Sequence, residues 1–207
     1  MMILAIESSA KAASVALCRD GELIAQSFQR SGLTHSRTLL PMAEDLLKNT
    51  DTPKSALEAV AVACGPGSFT GVRIGVSTAK GLCWGLDIPA VGVSTLEAMA
   101  HLAPCMGETV ICPAMDARRN QVYNALFERV DGNLRRLCPD RALSARELAA
   151  ELKNLGRSVW VLGDGWQVCT AALENADAAY TLAPEHIRWQ NAFGVALAAA
   201  DSMLLAS

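Results

Sequence analysis

AVAVACGPGSFTGVRIG, residues 59–75, joins an apolar run to a glycine-rich loop and then to a helix-compatible stretch. The apolar run 59–64 predicts a buried strand, and residues from 70 onward predict a helix. A strand, a glycine-rich loop and a helix N-terminus together form a common cradle for phosphate groups. The same layout also serves as a tight turn that sets a helix against a sheet, so both interpretations stay open. The candidate phosphate contacts of the loop are Gly65, Gly67, Ser68, Thr70 and Gly71.

Bulk composition narrows the class of protein. The 207 residues are 51% apolar, enough to bury a sizeable core in one domain or two small lobes. No apolar run reaches the roughly 20 residues of a membrane helix, and MMILAI lacks the features of a signal peptide, so we expect a cytoplasmic protein without membrane contact. The seven cysteines include no Cys-x-x-Cys pair, which argues against structural zinc. The net charge of −3 argues against nucleic-acid binding by this chain alone.

The order of predicted elements in the first half indicates a mixed α/β protein. It reads β-β-β-α-β-α, which is the layout of ribonuclease-H-like and actin-like domains. Pro41 lies inside the first helical pattern and favours a helix start near residue 39, or a kink. The predicted strands are 3–8, 13–19, 22–28 and 59–64, and the predicted helices are 35–49 and 70–86.

After Pro104 a second α/β pattern of different proportions begins. It includes a predicted strand at 121–129, a capping box at Ser144 that opens a helix, and a last helix at 191–206. We therefore predict a two-lobed α/β protein with an actin-like, ribonuclease-H-like fold. The predicted lobes are an N-terminal actin-like lobe, residues 1–104, and a smaller C-terminal α/β lobe, residues 105–207.

The turn between the first two predicted strands reads AIESSA and carries Glu7, Ser8 and Ser9. In actin-like ATPases this first hairpin carries an acidic residue and hydroxyls that meet phosphate and metal. The alternative is an ordinary edge turn in which Ser9 satisfies the backbone. Glu7, Ser8 and Ser9 therefore join the glycine-rich loop as candidates for phosphate contact.

Several segments occur in a characteristic order along the chain. They are AIESS, ASVAL, THSRTLLP, GPGSFTGVRIG, STAKGL, VGVSTLEAMA and MDARRNQVY. Together they closely resemble the TsaB (YeaZ) family of bacterial tRNA threonylcarbamoyladenosine biosynthesis proteins, most strongly over residues 1–130. The resemblance implies the actin-like fold of the M22 glycoprotease-like superfamily. It also implies a part in placing a threonylcarbamoyl group on N6 of adenosine 37 in tRNAs that read ANN codons.

The resemblance further implies partners: a catalytic paralogue of the TsaD type, a small ATPase of the TsaE type, and tRNA reached through the complex. The expected function is that of a non-catalytic subunit that scaffolds and activates the paralogue, with a homodimer when the partner is absent. No tightly bound cofactor is expected, and ATP or ADP would bind at an interface of the complex. The alternatives are an actin-like-superfamily ATPase or kinase, for which the chain is short, and an M22-type metallopeptidase.

Two departures from the catalytic paralogue argue against catalysis. The paralogue has a segment G-V-N-H-x-E-x-H whose two histidines hold a metal, and the matching GVSTLEAM has Thr95 and Met99 at those positions. Neither side chain offers an imidazole nitrogen, and His101 lies two residues out of register. Glu7 stands where the paralogue has Asp, and its longer side chain would displace a carboxylate tuned for a metal-bound phosphate. We therefore predict no catalytic residue and no metal site.

The predicted helix 70–86 carries two distinct faces. Gly71 and Gly75 share a small-residue face that permits close approach of another helix or a sheet. Arg73, Lys80 and Trp84 share a different face of the helix. Arginine and tryptophan are both enriched at protein interfaces. The predicted partner interface comprises Thr38, Met42, Arg73, Ser77, Lys80 and Trp84.

A last polar cluster follows the predicted strand 109–117. It consists of Asp116, Arg118 and Arg119. Either it is a solvated turn, or it contacts a partner or a tRNA phosphate.

Overall fold

The chain forms two compact units in a computed structural model that describes residues 1–32, 34–104 and 107–206. One unit comprises Met1–Ala98 and Gln190–Ser207, and the other comprises Met99–Trp189. The strands are β1 (Met2–Glu7), β2 (Ala13–Arg19), β3 (Glu22–Gln29), β4 (Ala59–Ala63), β5 (Ala90–Val93), β6 (Val110–Asp116), β7 (Gln121–Asn124), β8 (Phe127–Val130), β9 (Asn133–Arg136), β10 (Arg141–Ser144), β11 (Val159–Leu162) and β12 (Thr181–Leu182). The helices are α1 (His35–Asn49), α2 (Phe69–Leu86), α3 (Thr95–His101), α4 (Ala145–Leu155), α5 (Trp166–Asn175), α6 (Glu185–Arg188) and α7 (Ala192–Ala206), with a 3₁₀ turn at Lys54–Ala56.

The first unit is built on a five-stranded sheet with the strand order β3-β2-β1-β4-β5. Strands β1, β2 and β3 form an antiparallel meander, whereas β4 runs parallel to both β1 and β5. Parallel neighbours need a crossover connection, and α2 supplies the one between β4 and β5. The predicted order β-β-β-α-β-α is confirmed.

Both faces of this sheet are covered by helices, which explains why its central strands are apolar throughout. In β1, Leu4 and Ile6 point into a core shared with α1 and α2, whereas Ile3 and Ala5 point into a core shared with α7. Successive strand residues alternate between faces, so a sheet covered twice needs a continuous apolar run. The sequence MILAIE, buried at every position, meets that requirement.

Helix α1 spans the whole predicted stretch, so the expectation of a late start caused by Pro41 is wrong. The helix begins at His35 and has Pro41 inside it. Its first turn is fixed because the Arg37 N–H donates to the Thr34 carbonyl at 3.0 Å. Leu39 is buried in the core ahead of the proline, so packing holds the segment that the proline alone would loosen.

The second unit holds a sheet with the path β10-β7-β6-β11-β12, and β8 pairs with β6 and β9. Helices α4 and α5 bury Leu148 and Leu173 in its core. The predicted capping box of α4 is present, with the Ser144 hydroxyl accepting from the Glu147 N–H at 3.1 Å. The single strand predicted at 121–129 is divided into β7 and β8. At the end of β7, the buried Asn124 side chain donates to the Pro113 and Ala125 carbonyls and fixes the break.

The last helix packs with the first unit, although the sequence interpretation placed it in the C-terminal lobe. Ala192, Val195, Ala196, Ala198 and Ala199 of α7 are all buried against β1, β2 and β4. The contacts therefore divide the chain after Ala98 and again before Gln190. That differs from the single boundary predicted at residue 104, because α7 covers the second face of the five-stranded sheet. Within the described residues, no helix combines the length and apolarity that crossing a membrane requires.

Candidate functional site

The structure brings the β1–β2 turn and the glycine-rich loop into direct contact. The Ser8 hydroxyl donates to the Gly71 carbonyl at 2.9 Å, and the Ser68 N–H donates to the Ser9 carbonyl at 2.6 Å. The candidate residues from 7–9 and from 65–71 therefore form one cluster at the start of α2. These contacts join positions that are 63 and 59 residues apart in the sequence.

The β1–β2 turn packs against the small-residue face of α2 and covers it. A Cβ added at Gly71 would lie 2.1 Å from the Ser8 carbonyl oxygen, and one added at Gly75 would lie 2.3 Å from the Ser8 Oγ. Gly71, Gly75, Ala79 and Cys83 form the buried face of the helix. The glycines are therefore explained by the approach of a helix to a turn of the same unit. This bears out the expectation of close packing and leaves the phosphate role of the loop a prediction.

The polar groups of the turn serve the backbone around them. Glu7, Ser8 and Ser9 are at most 1% exposed. The Glu7 Oε1 accepts from the Ser9 N–H at 2.5 Å, so the carboxylate holds its own turn. Ser68 is the N-cap of α2, and its Oγ accepts from the Gly71 N–H at 3.3 Å. The Ser9 Oγ is buried and makes no hydrogen bond to any described residue.

A cavity of about 410 Å³ lies beside this cluster within the first unit. Its lining includes Lys11 and Arg30 as well as the first residues of α1 and α2. The His35 ring reaches the Ala10 carbonyl through Nε2 at 2.8 Å, whereas its buried Nδ1 has no hydrogen-bond partner in the described part of the chain. Cations and helix N-termini both favour an anion. The candidates Ser68, Thr70 and Gly71 also line this cavity, whereas Gly65 and Gly67 do not.

The opposite face of α2 is exposed and carries a large aromatic residue. The side chain of Trp84 is 91% exposed, and Arg73, Ser77 and Lys80 are exposed at helical spacing from it. The predicted sharing of one face by Arg73, Lys80 and Trp84 is confirmed. Their role at an interface stays a prediction.

The sequence analysis missed one residue of the exposed face of α2, and it assigned two residues of α1 to the interface although they are nearly buried. Phe69 is 69% exposed at the start of α2, and the Arg73 guanidinium lies 3.6 Å from its ring centroid. Thr38 and Met42, predicted for the interface, are each only 9% exposed. Met42 packs in the core of the first unit, so α1 offers Leu40 instead, at 42% exposure. The apolar pattern of α1 could not separate Leu40 from its buried neighbours.

The positions that correspond to the paralogue's metal-binding histidines are buried. Thr95 and Met99 are 0% and 1% exposed, and the Thr95 N–H donates to the Gly65 carbonyl at 2.8 Å. The His101 carbonyl accepts from Arg129 at 3.0 Å. Among the described residues, no three His, Cys, Asp or Glu side chains are grouped closely enough to hold a metal ion. The prediction that the protein holds no metal remains to be tested on the protein itself.

Asp116 ends β6, and Arg118 and Arg119 lie in the turn between β6 and β7. The Asp116 Oδ1 accepts from the Arg118 N–H at 2.8 Å, so the carboxylate is used inside the turn. Both arginines are exposed.

Comparison with known proteins connects this geometry to a family. A family model described as TsaD, tRNA N6-adenosine threonylcarbamoyltransferase, matches residues 29–204. The tRNA threonylcarbamoyladenosine biosynthesis protein TsaB of Bacillus subtilis is 39% identical over 163 residues, covering 79% of this chain and 71% of that protein. TsaB of Escherichia coli is also 39% identical, over 169 residues that cover 81% of this chain and 73% of that protein.

Solved structures show the same fold. YeaZ from Pseudomonas aeruginosa superimposes with a TM-score of 0.82 at 27% identity, covering 99% of this chain and 93% of that chain. A ROK hexokinase from Thermus thermophilus gives a TM-score of 0.53 at 12% identity, covering 99% of both chains, and it shares the fold alone. The predicted α/β, actin-like fold is confirmed.

Proposed function

The chain belongs to the TsaB family of tRNA threonylcarbamoyladenosine biosynthesis proteins, and on that premise we propose that it is a non-catalytic subunit of the threonylcarbamoyl-transfer complex. In this role it scaffolds and activates a TsaD-type catalytic paralogue, together with a TsaE-type ATPase. The complex transfers the threonylcarbamoyl group to N6 of adenosine 37 in tRNAs that read ANN codons. The chain reaches tRNA through the complex and pairs with a second copy of itself when the paralogue is absent.

The contrast between the two faces of α2 carries the proposal. Gly71 and Gly75 are filled by the protein's own turn, so this face is already used. Trp84 and Phe69 stand on the solvent side with Arg73 between them in sequence. An exposed tryptophan beside arginine is typical of the residues that dominate binding at interfaces. The helix therefore supports docking of another protein better than it supports catalysis.

The polar cluster points in the same direction. Glu7 caps its own turn, and Ser8 is bonded to a helix carbonyl. Thr95 and Met99 are buried at the two positions where the paralogue has metal ligands. The contacts of these side chains stabilise the unit, which supports a structural role for them better than a catalytic one. Activity is therefore assigned to the paralogue.

The test is reconstitution with the Trp84→Ala variant. Truncating a buried interface tryptophan commonly costs about 2 kcal/mol or more, roughly thirtyfold in affinity. We expect Trp84→Ala to weaken association with the TsaD-type partner, or self-association, while the melting temperature stays unchanged because the side chain is 91% exposed. Leu155→Ala is the matched control, since Leu155 is an exposed apolar residue of α4. Unchanged affinity for every partner would refute the interface.

The cavity beside the loop favours one alternative, an actin-like ATPase or kinase with the phosphates near Lys11 and the N-terminus of α2. On our proposal, the isolated chain neither hydrolyses ATP appreciably nor modifies tRNA from threonylcarbamoyl-AMP, and adding the paralogue and the ATPase restores modification. Turnover by the single protein that is lost on Glu7→Ala would favour the ATPase instead. The same cavity is where ATP or ADP would bind at an interface of the complex. A metallopeptidase has no comparable support.

A further inference from the structure

The turn between β6 and β7 has an unusual backbone. Arg118, Arg119 and Asn120 have φ values of 69°, 52° and 57°, so three consecutive residues are left-handed. Asparagine tolerates this region, but bulky residues rarely adopt it. Glycine would adopt it without steric cost. Two arginine side chains therefore stand where the backbone alone would favour glycine.

Hydrogen bonds hold this turn in one shape. The Ala117 N–H donates to the Gln121 carbonyl at 3.0 Å, and the Gln121 N–H donates to the Arg118 carbonyl at 2.9 Å. At the other end, the Asn120 carbonyl accepts from the Ala145 N–H at 3.0 Å, which ties the turn to the start of α4. The two arginines are therefore presented by a fixed backbone.

Their side chains are free to bind something outside the chain. Neither guanidinium has a hydrogen bond or an ion pair within residues 1–32, 34–104 and 107–206, and both side chains are exposed. Two other arginines of the second unit are engaged within the chain: Arg129 donates to three carbonyls, and Arg141 pairs with Glu151 at 2.7 Å.

Neighbouring charges leave the turn available to an anion. Arg146 follows Ala145 at the start of α4 and is exposed, and its side chain likewise makes no hydrogen bond or ion pair in the described part of the chain. Two carboxylates flank the three arginines in sequence, Asp116 and Glu147. Asp116 accepts from the Arg118 N–H, and Glu147 accepts from the Ser144 N–H and hydroxyl at 3.0 and 2.7 Å. Both acids serve local backbone structure.

We propose that Arg118 and Arg119, with Arg146 beside them, form a phosphate-binding turn for the backbone of the tRNA that the complex modifies. A planar guanidinium matches the geometry of a phosphate and binds it through paired hydrogen bonds. With a net charge of −3, the chain would hold tRNA weakly by itself, so the turn acts within the complex. This inference rests on the proposed function and adds a direct contact between this subunit and the RNA.

The test measures tRNA binding to the reconstituted complex as a function of salt, by fluorescence anisotropy. The variants are Arg118→Gln/Arg119→Gln and the charge-conserving Arg118→Lys/Arg119→Lys. Losing two phosphate contacts should weaken binding roughly fivefold or more and reduce the slope of log affinity against log salt by about 1.5. The lysine variant should keep the slope and lose only part of the affinity. Arg19→Gln/Lys54→Gln removes two charges from the first unit as a matched control and should change little.

The two proposals fail in different ways. If the wild-type chain does not assemble with the paralogue, or the assembled complex does not modify tRNA, the proposed function is wrong. If the wild-type complex assembles and works but the glutamine variant shows the same affinity and salt slope, the phosphate-binding turn is wrong. It is equally wrong if the glutamine variant loses co-elution with the protein partners. The melting temperature of each variant shows that the comparison is made between folded proteins.

Discussion

The residue with the tightest surroundings in the loop cluster is Gly71, and its substitution gives a sharp prediction. In Gly71→Ala the new Cβ would lie 2.1 Å from the Ser8 carbonyl oxygen. The carbonyl is part of the backbone, and the position of a Cβ is fixed by the helix backbone, so relief requires the β1–β2 turn and α2 to move apart. We expect a loss of about 1–3 kcal/mol or more in the free energy of unfolding, measured by chemical denaturation.

Gly81 is the matched control for Gly71. It lies in the same helix, is exposed, and has nothing within 4 Å of an added Cβ. Gly81→Ala should stabilise the protein by about 0.5–1 kcal/mol, because alanine is the better helix former and nothing opposes it. Equal effects at Gly71 and Gly81 would show that the contact with Ser8 does not hold the cluster together.

The residues at two positions also lead to a prediction about whether the protein binds a metal ion. Thr95 and Met99 provide a hydroxyl and a thioether where the paralogue has two imidazoles, and both are buried. Neither is a ligand set for zinc or iron. Elemental analysis of the purified protein should therefore find no stoichiometric zinc or iron, with the TsaD-type paralogue prepared in parallel as the positive control. About one tightly bound transition metal per chain would overturn the assignment.

For single residues, the sequence predicts which face of a helix a side chain occupies better than it predicts which distant residue that side chain contacts. Helical spacing alone separated the glycine face of α2 from the face that carries Arg73 and Trp84. It could not reveal that the Ser8 hydroxyl donates to the Gly71 carbonyl, because that contact joins positions 63 residues apart. It also could not show which apolar residues of α1 remain exposed, since Leu40 and Leu39 have the same chemistry and differ only in what packs on them.

The β8–β9 hairpin supplies a pH-dependent prediction at the scale of elements. Glu128 is nearly buried and pairs with Arg135 and with Arg157, whose Nη2 lies 2.8 Å from Oε2. The hydrogen bonds from Arg135 and then Arg157 hold the pKa of its carboxyl below the usual range. A lowered folded-state pKa stabilises the protein above the carboxyl's unfolded pKa, and this contribution is lost as the pH falls through the folded value. Glu128→Gln should therefore lower the melting temperature by about a few degrees at neutral pH and by less in acid.

Glu151→Gln serves as the control for the hairpin. Glu151 also pairs with an arginine, Arg141, but its side chain is 37% exposed, and exposed pairs contribute little. Thermal melts of both variants across the acid range separate the cases. A Glu128→Gln penalty that stays constant as the carboxyl is protonated would show that the ion pairs are not its cause.

Elements were predictable where local pattern and packing agree. The meander β1–β3, the strand β4 and the capping box of α4 follow from alternation, turn chemistry and a cap, all of which are local. The break between β7 and β8 was missed because it depends on Asn124 reaching the Pro113 carbonyl on a neighbouring strand. Pro41 led to the wrong prediction that α1 begins late. The helix extends through the proline because the core contacts of α1 outweigh one lost backbone hydrogen bond.

For the molecule as a whole, the class of fold was readable from the order of elements, whereas the membership of α7 was not. The sequence pattern of a helix at the end of the chain is the same whichever of the two sheets the helix covers. The size of the side chains decides which sheet α7 covers. The face of the first sheet that carries Ala5, Ala16 and Ala61 has small side chains, so it needs a helix that can approach closely. Helix α7 offers Ala196 and Ala199 to it, and its N-terminus is bound where the Ala192 N–H donates to the Ser14 Oγ at 3.2 Å.

A charge placed at Ala198 tests this assignment. Ala198 is 1% exposed in the core between α7 and the five-stranded sheet. Ala198→Glu would bury a carboxylate in an apolar core, at a cost of several kcal/mol. Hydrogen exchange should then show that the amides of β1, β2 and β4 lose protection first, while those of β6 and β11 keep theirs. Ser202→Glu, at an exposed position of the same helix, should leave both sheets protected. If Ala198→Glu instead releases β6 and β11 and spares the first sheet, α7 stabilises the second unit and the boundary predicted at residue 104 describes the folding units better.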